Sequence, residues 1–532
     1  MITALAMLVL LQQDIPEKPE DLKYRPLKFD VPDAASMRVE LPGGTVVYIL
    51  EDRSLPKVDL TVLVRAGSFW VPAGKEGVAG FCGALMRTGG TTSRKPAALD
   101  DELDYLAAEL GVSVGDTSGS ATLSVLSKDL DKGLEILFDV LRNPAFDQEK
   151  LDLLKQQTMK QLESRNDRPQ SIEGRELSLL LYGHFPVNRH ATGASVTSIT
   201  REDLIAYHGK SFHPANFIIA AAGDFAKDEL LAKLKDGLKG WPAGEARPAI
   251  PRVAHQPEPG IYGFQKDVPQ GSVTIAHLGI DVSHPDAYAV RLLSYILGGG
   301  SFSSRLVQKV RTEMGLAYSV YSDFSPGRLY TGTMRMAFQT KSATCALAAK
   351  TCLDELEKMR TELVGDDELA SAKQYYVDAF PSVFSTAAGT VGTFATAEMN
   401  GLARDYYAKF LGRMTAVTRD DIRRAAKELV RPEKFVIVMV GDLAAIQKGD
   451  AKAKLADLGR PFTEVALPDP VTLERPTPKK RELKNGFCEA CAGKAYTSDT
   501  KQCGCGGWTG SGAFKMCAKC AEKAGVCQAC GK

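Results

Sequence analysis

TSITREDLIAYHGKSFHPANFIIAAAGDF, residues 197–225, returns as TAVTRDDIRRAAKELVRPEKFVIVMVGDL at residues 415–443, without a gap. Thr197, Thr200, Arg201, Asp203, Pro214, Phe217, Gly223 and Asp224 recur as Thr415, Thr418, Arg419, Asp421, Pro432, Phe435, Gly441 and Asp442. Each copy carries the same local physics. A Thr three residues before an Asp exchanges hydrogen bonds with the first turn of a helix. The Pro marks a turn, the apolar run after it suits a strand buried on both faces, and Gly-Asp ends that strand. A gapless match of this length predicts an internal duplication, with two similar lobes that each close on a helix–turn–strand unit.

Working outward, the first lobe spans about residues 35–244. It opens with a hairpin, Met37–Leu41 and Thr45–Glu51 around the pair Gly43-Gly44, and continues with a strand at Val58–Arg65. Helices are predicted near 77–88, 99–111, 130–143, 147–165 and 170–182, with a strand at Ser113–Ser127 among them. The second lobe spans about 259–465. Its predicted strands lie near Gly260–Lys266, Ser272–Leu278, Ala317–Phe324 and Tyr330–Gln339, and its helices near 285–297, 302–314, 343–362, 366–379 and 418–428. Gly240–Gly260, rich in Pro, Ala and Gly, joins the two. Mixed strands with helices packed on one side define an α+β class. Residues 466–484, which include the Pro-rich, charged stretch Pro468–Lys484, read as a linker, and 485–532 as a separate Cys-rich module.

The segment GSFWVPAGKEGVAGFCGALMRTGG, residues 67–90, follows the strand at Val58–Arg65 through a Pro/Gly turn into an apolar helix. This strand–turn–helix resembles the metal-binding segment of the insulinase/pitrilysin (inverzincin) metallopeptidases, which include the processing-peptidase subunits. Their helix carries H-x-x-E-H, which places two zinc-ligating His and a general-base Glu on one helix face. The matching residues here are Gly80-Phe81-Cys82-Gly83-Ala84, so the face Gly80, Gly83, Ala84 offers no ligand. The resemblance places the third ligand, a Glu in the family, at Gln161, whose amide is a poor zinc donor. None of the seven His (184, 190, 208, 213, 255, 277 and 284) stands in a zinc motif, and each reads as a surface or hydrogen-bonded residue. Cys82, without a His or Lys one turn away, reads as a small buried residue rather than a nucleophile.

The resemblance covers about residues 35–465 and implies two metallopeptidase-type α/β lobes around a chamber. It also implies a role for Arg311 and Tyr318. Second lobes of the family carry an Arg and a Tyr seven residues apart that reach the peptide at the zinc, and here they stand in RTEMGLAY, residues 311–318, preceded by GGGSFSSRL, residues 298–306. A fixed guanidinium and a phenol suit the negative charge that peptide hydrolysis builds on the carbonyl oxygen. Gly315 is expected to end the Arg-bearing helix. Gly298–Gly300 is not a phosphate loop, because no Gly-Lys-Ser/Thr follows.

Eight of the 11 Cys fall in the tail, as the pairs Cys488/Cys491, Cys503/Cys505, Cys517/Cys520 and Cys527/Cys530. Four close pairs make two tetrahedral thiolate sites, so two zinc ions are expected in a zinc-ribbon-like module and none in the peptidase lobes. Trp508 and Phe514 are expected to form its small core. Four disulfides are the competing reading, with 105 connectivities open. Cys82, Cys345 and Cys352 stand apart and read as structural.

The run MITALAMLVLL at residues 1–11, with the lead-in up to Pro26, reads as a secretory signal and extended start, and favours an exported or periplasmic location over a cytoplasmic one. The alternative is a disordered or docked apolar start. A net charge of +1 gives no reason to expect a nucleic-acid partner, and no run is long enough to span a bilayer. The expected function is a non-catalytic subunit of a two-chain zinc metallopeptidase. It binds extended peptide and lends Arg311 and Tyr318 to the zinc of a family partner in a heterodimer. The alternatives are a scaffold or adaptor pseudo-peptidase that docks through its tail, and an active peptidase with unrecognised ligands.

Overall fold

The computed structural model describes residues 29–242, 244–476, and in the tail 499–503, 505, 509, 511, 514–524 and 529. The expected signal segment lies outside them, as do Cys488, Cys491, Trp508, Cys527 and Cys530. The chain forms two compact units, residues 1–465 and 466–532.

The first unit has a mixed α/β architecture built on two six-stranded sheets. The strands are β1 (Arg38–Glu40), β2 (Val46–Glu51), β3 (Lys57–Val64), β4 (Glu109–Val114), β5 (Gly119–Leu126) and β6 (Phe217–Gly223) in the first sheet. The second holds β7 (Gly260–Gln265), β8 (Gln270–Leu278), β9 (Ala317–Ser325), β10 (Thr333–Lys341), β11 (Val436–Gly441) and β12 (Phe462–Glu464). The orders are β1-β2-β6-β3-β5-β4 and β12-β7-β11-β8-β10-β9. Five strands of each sheet correspond one to one. β2 and β6 pair in parallel as β7 and β11 do, and the remaining shared pairings are antiparallel in both sheets. The outer strands differ: β1 pairs antiparallel and β12 parallel.

Helices of eight or more residues in this unit are α1 (Val78–Thr88), α2 (Pro96–Tyr105), α3 (Leu130–Arg142), α4 (Gln148–Glu163), α5 (Pro169–Tyr182), α6 (Arg201–Ser211) and α7 (Lys227–Leu238) in the first half. The second half adds α8 (Ala287–Ser294), α9 (Cys345–Thr361), α10 (Asp366–Ala379), α11 (Ala387–Met399), α12 (Tyr406–Ala416) and α13 (Arg419–Leu429). The two matched segments fold alike. α6 and α13 start on reciprocal caps, Thr200 with Asp203 and Thr418 with Asp421. Each is followed by a 3₁₀ turn at the Pro and by the central strand β6 or β11, whose residues are buried nearly throughout.

Three expectations need correction. The helix expected at 99–111 ends at Tyr105, and Glu109–Val114 is a strand. The single strand expected at Ser113–Ser127 is the second half of a hairpin, β4 and β5 turning at 115–118. The helix expected at 302–314 is instead a 3₁₀ turn, Ser301–Ser303, followed by a π-helical segment, Val307–Glu313.

The halves exchange helices. α5, from the first half, packs on β8 and β11, while α11, from the second, packs on β2 and β6. Side chains alternate faces along a strand, so Ser272 and Thr274 of β8 meet α5 while Val273 and Ile275 join the opposite core. Both hydroxyls donate to the carboxylate of Glu173 on α5, whose burial raises its pKa. On the other sheet, alternating small residues Ala220 and Ala222 admit α11, whose Phe394 stacks on Tyr48. Glu398, near the end of α11, takes bonds from Arg38 at 2.8 and 2.9 Å and from the Tyr48 hydroxyl at 2.6 Å. One apolar core therefore runs from Val46 and Ile218 into the second lobe.

Candidate functional site

α1 follows β3 and lies against the edge strand β4. Its positions matching the family ligands have distinct surroundings. Gly80 is exposed, and a Cβ added there meets nothing within 4 Å. Ala84 is half-buried, and Gln161 is exposed on α4, which packs against α1. Gly83 is buried, and a Cβ there lies 2.7 Å from the Val114 nitrogen and 3.0 Å from the Ser113 carbonyl carbon. The helix has closed onto β4 at the position where the general base of the motif stands, so no side chain larger than hydrogen enters without separating the two. This gives opposite expectations for neighbouring glycines. Gly80→Ala is expected to stabilise by up to about 1 kcal/mol through helix propensity. Gly83→Ala is expected to destabilise by about 1–3 kcal/mol, because overpacking against backbone outweighs that gain. Thermal unfolding of both variants checks the pair, and equal signs contradict the close contact.

Cys82 sits on the buried face of α1, and burial pushes its thiol far above the ordinary range. Cys345 and Cys352 are also buried. Several His are engaged in hydrogen bonds: His208 with the Leu141 carbonyl, His213 with Asn216, His255 with the Leu180 carbonyl, and His277 with the Leu278 carbonyl and the Arg431 N–H. Among the described residues, one group of three or more His, Cys, Asp or Glu side chains converges its ligand atoms, and it lies in the tail.

In the second lobe the structure brings Arg311 and Tyr318 together. After α8 the chain winds as a π-helix at Tyr295–Gly299, and Ser294 and Ser322 exchange bonds that fix this segment to β9. Arg311 lies in the second π-helical segment. Gly315 then takes φ +61°, a left-handed turn that favours glycine, and reverses the chain into β9. The Arg311 guanidinium lies 4.5 Å from the centre of the Tyr318 ring. Tyr318 is 84% exposed on this edge strand, against a general pattern in which β9 buries Ala317, Val320, Ser322 and Phe324. The exposed phenol and the partly exposed guanidinium beside it are groups that suit a negative oxygen. Sequence reasoning missed a third contributor. The Phe302 ring lies 4.6 Å from the same guanidinium.

The tail cluster consists of Cys503, Cys505, Cys517 and Cys520, whose sulfurs lie within 4.8 Å of one another, with Cys505 and Cys517 at 3.5 Å. A tetrahedron with zinc–thiolate bonds near 2.3 Å spaces its sulfurs by about 3.8 Å, so the four fit one zinc ion. Backbone N–H groups of Cys505 and Cys517 pull the Cys503 thiol down to about 6. Four thiolates this close repel one another, and a divalent cation lets all four ionise together. Lys501 and Thr509 pinch the first turn through paired bonds of 3.0 and 3.1 Å, and the short helix Ala518–Ala524 carries Cys520. Phe514 is buried.

Among the described residues, no helix is long and apolar enough to cross a membrane. Residues 46–195 match the family description "Insulinase (Peptidase family M16)" and 198–376 match "Peptidase M16 inactive domain". An uncharacterized zinc protease of Rickettsia felis is 26% identical over 343 residues, covering 63% of this chain and 80% of that protein. The non-peptidase homolog YmxG of Helicobacter pylori is 25% identical, covering 70% of this chain and 86% of its own. The solved peptidase M16 inactive domain from Pseudomonas fluorescens superposes with a TM-score of 0.70 at 28% identity, over 76% of this chain and 97% of that one.

Proposed function

Because the chain belongs to the insulinase family, peptidase M16, we propose that it is a non-catalytic subunit that binds extended peptide and lends Arg311 and Tyr318 to the zinc of a second chain. One asymmetry carries this reading. The zinc half of the family's bipartite site is closed at Gly83, while the Arg311/Tyr318 half is assembled and open. The similarity both to proteins named zinc proteases and to a non-peptidase homolog agrees with a pseudo-peptidase that works beside an active relative. The partner is a chain of the same family with an intact H-x-x-E-H helix, and the peptide lies in a chamber between the two. Arg311 and Tyr318 then meet the carbonyl oxygen as it gains charge.

The test is reconstitution. The chain alone is expected to leave an internally quenched extended peptide uncut, and a purified partner carrying the intact motif is expected to cut it faster when this chain is added. Full activity of the chain by itself, together with zinc bound to residues 29–465, overturns the pseudo-enzyme reading in favour of an active peptidase. The second reading, an adaptor that docks through its tail, draws on the tail's being a compact unit of its own with a metal-type Cys cluster. It gains support if deleting 485–532 abolishes partner capture while the lobes stay folded.

A further inference from the structure

Phe302 is 61% exposed, an unusual place for a Phe beside a charged group. It stands on a braced loop rather than a loose one. The Ser303 hydroxyl donates to the Gly300 carbonyl at 2.9 Å, Ser304 to Ser301 at 2.7 Å, and the Gln308 amide to the Phe302 carbonyl at 2.5 Å. Arg305, three residues on, makes a two-pronged ion pair with Glu368 of α10, both bonds 2.7 Å. The loop thus holds the ring 4.6 Å from the Arg311 guanidinium, while Tyr318 lies at 4.5 Å. Among the described residues no carboxylate pairs with Arg311. The acid closest in sequence, Glu313, is taken by Lys309 at 2.5 Å.

We propose that Phe302 is a positioning residue, one jaw of an aromatic clamp whose other jaw is Tyr318, and that the clamp aims the edge of the Arg311 guanidinium at the substrate. A guanidinium attracts aromatic rings to its faces and keeps its five N–H donors in its plane. With rings packed against it, the remaining approach is along that edge, and the ligand it suits is an extended peptide offering a carbonyl or carboxylate oxygen. A free Arg side chain must be ordered at the moment of reaction, whereas a clamped one is already placed. This inference rests on the helper role proposed above for Arg311, and it adds a residue that the Arg/Tyr pair alone does not include.

Two measurements separate the clamp from the helper role. In the full chain without a partner, NMR resonances of the Arg311 side-chain methylenes are expected to be shifted upfield by ring currents, and Phe302→Ala is expected to remove a substantial part of that shift. A shift that Phe302→Ala leaves unchanged overturns the clamp. In the two-chain complex, with the quenched peptide as probe, Phe302→Ala is expected to lower kcat about tenfold with KM moved by less than about twofold. Phe302→Tyr, which keeps the ring, is expected to restore the rate, and Phe302→Leu, which keeps apolar bulk alone, is not. A Leu variant as fast as wild type overturns the clamp while a slow Arg311→Ala variant keeps the helper role. A complex insensitive to Arg311→Ala overturns the helper role, and the clamp's catalytic part falls with it.

Discussion

Arg311→Ala is expected to lower kcat of the reconstituted pair by about 100- to 1000-fold, the usual cost of removing one donor aimed at a developing oxyanion. KM is expected to change little, because a contact that forms fully only as charge builds contributes to the transition state and not to substrate binding. Tyr318→Phe keeps the ring face that packs on the guanidinium and removes only the hydroxyl, so its loss is expected to be smaller, about tenfold. Neither change touches the core, since Tyr318 is exposed and Arg311 is partly so. Unfolding temperatures are therefore expected to match wild type, and melting curves recorded beside the kinetics separate lost chemistry from lost structure. Unchanged rates in both variants exclude the helper role. Arg311→Lys adds a finer test: it keeps the charge but loses the planar fork that stacks and donates along one edge, so it is expected to recover only a small part of the loss.

The parts of the fold legible in the sequence were the local ones. The caps at Thr200 and Thr418 and the buried runs of β6 and β11 are written within a few residues of where they act, which is why the 197–225 and 415–443 segments could be read as like units. The break after α2 was hidden because Ala107, not a Gly, takes φ +47°, while Leu103, Leu106 and Leu110 keep a helical spacing across it. α11 and α12 went unread for a different reason. The small residues of α11 answer to Ala220 and Ala222 in the other half, a fit that no local pattern shows. At the site, the replacement of H-x-x-E-H by Gly80-Phe81-Cys82-Gly83-Ala84 was plain from residue types, and so was the Arg311/Tyr318 spacing. What residue types could not show was clearance and direction. Gly83 proved to be a contact with β4 rather than a mere deletion, and Phe302 reaches Arg311 only because the chain between them turns through 3₁₀ and π-helical windings.

Replacing Cys503 and Cys505 together by Ser is expected to lower bound zinc from two ions per chain to one and to leave the tail open to proteolysis. Cys503, Cys505, Cys517 and Cys520 form one set of four. Cys488, Cys491, Cys527 and Cys530, outside the described residues, are expected to supply the donors for the other. A unit of 67 residues (466–532) whose first part is Pro-rich has little apolar surface to bury, so metal ligation is expected to provide most of its folding free energy. Structural zinc supplies on the order of 10 kcal/mol in small modules at neutral pH, more than a core of this size yields. Loss of two of four ligands at one site therefore removes the fold around it, not just an ion. The lobes form a separate compact unit, so their unfolding transition is expected to stay where it is. Metal analysis, limited proteolysis and calorimetry on the same preparation decide the matter. If the wild-type chain instead holds no zinc and shows no free thiols when denatured without reductant, the tail is a disulfide module and the metal assignment is wrong.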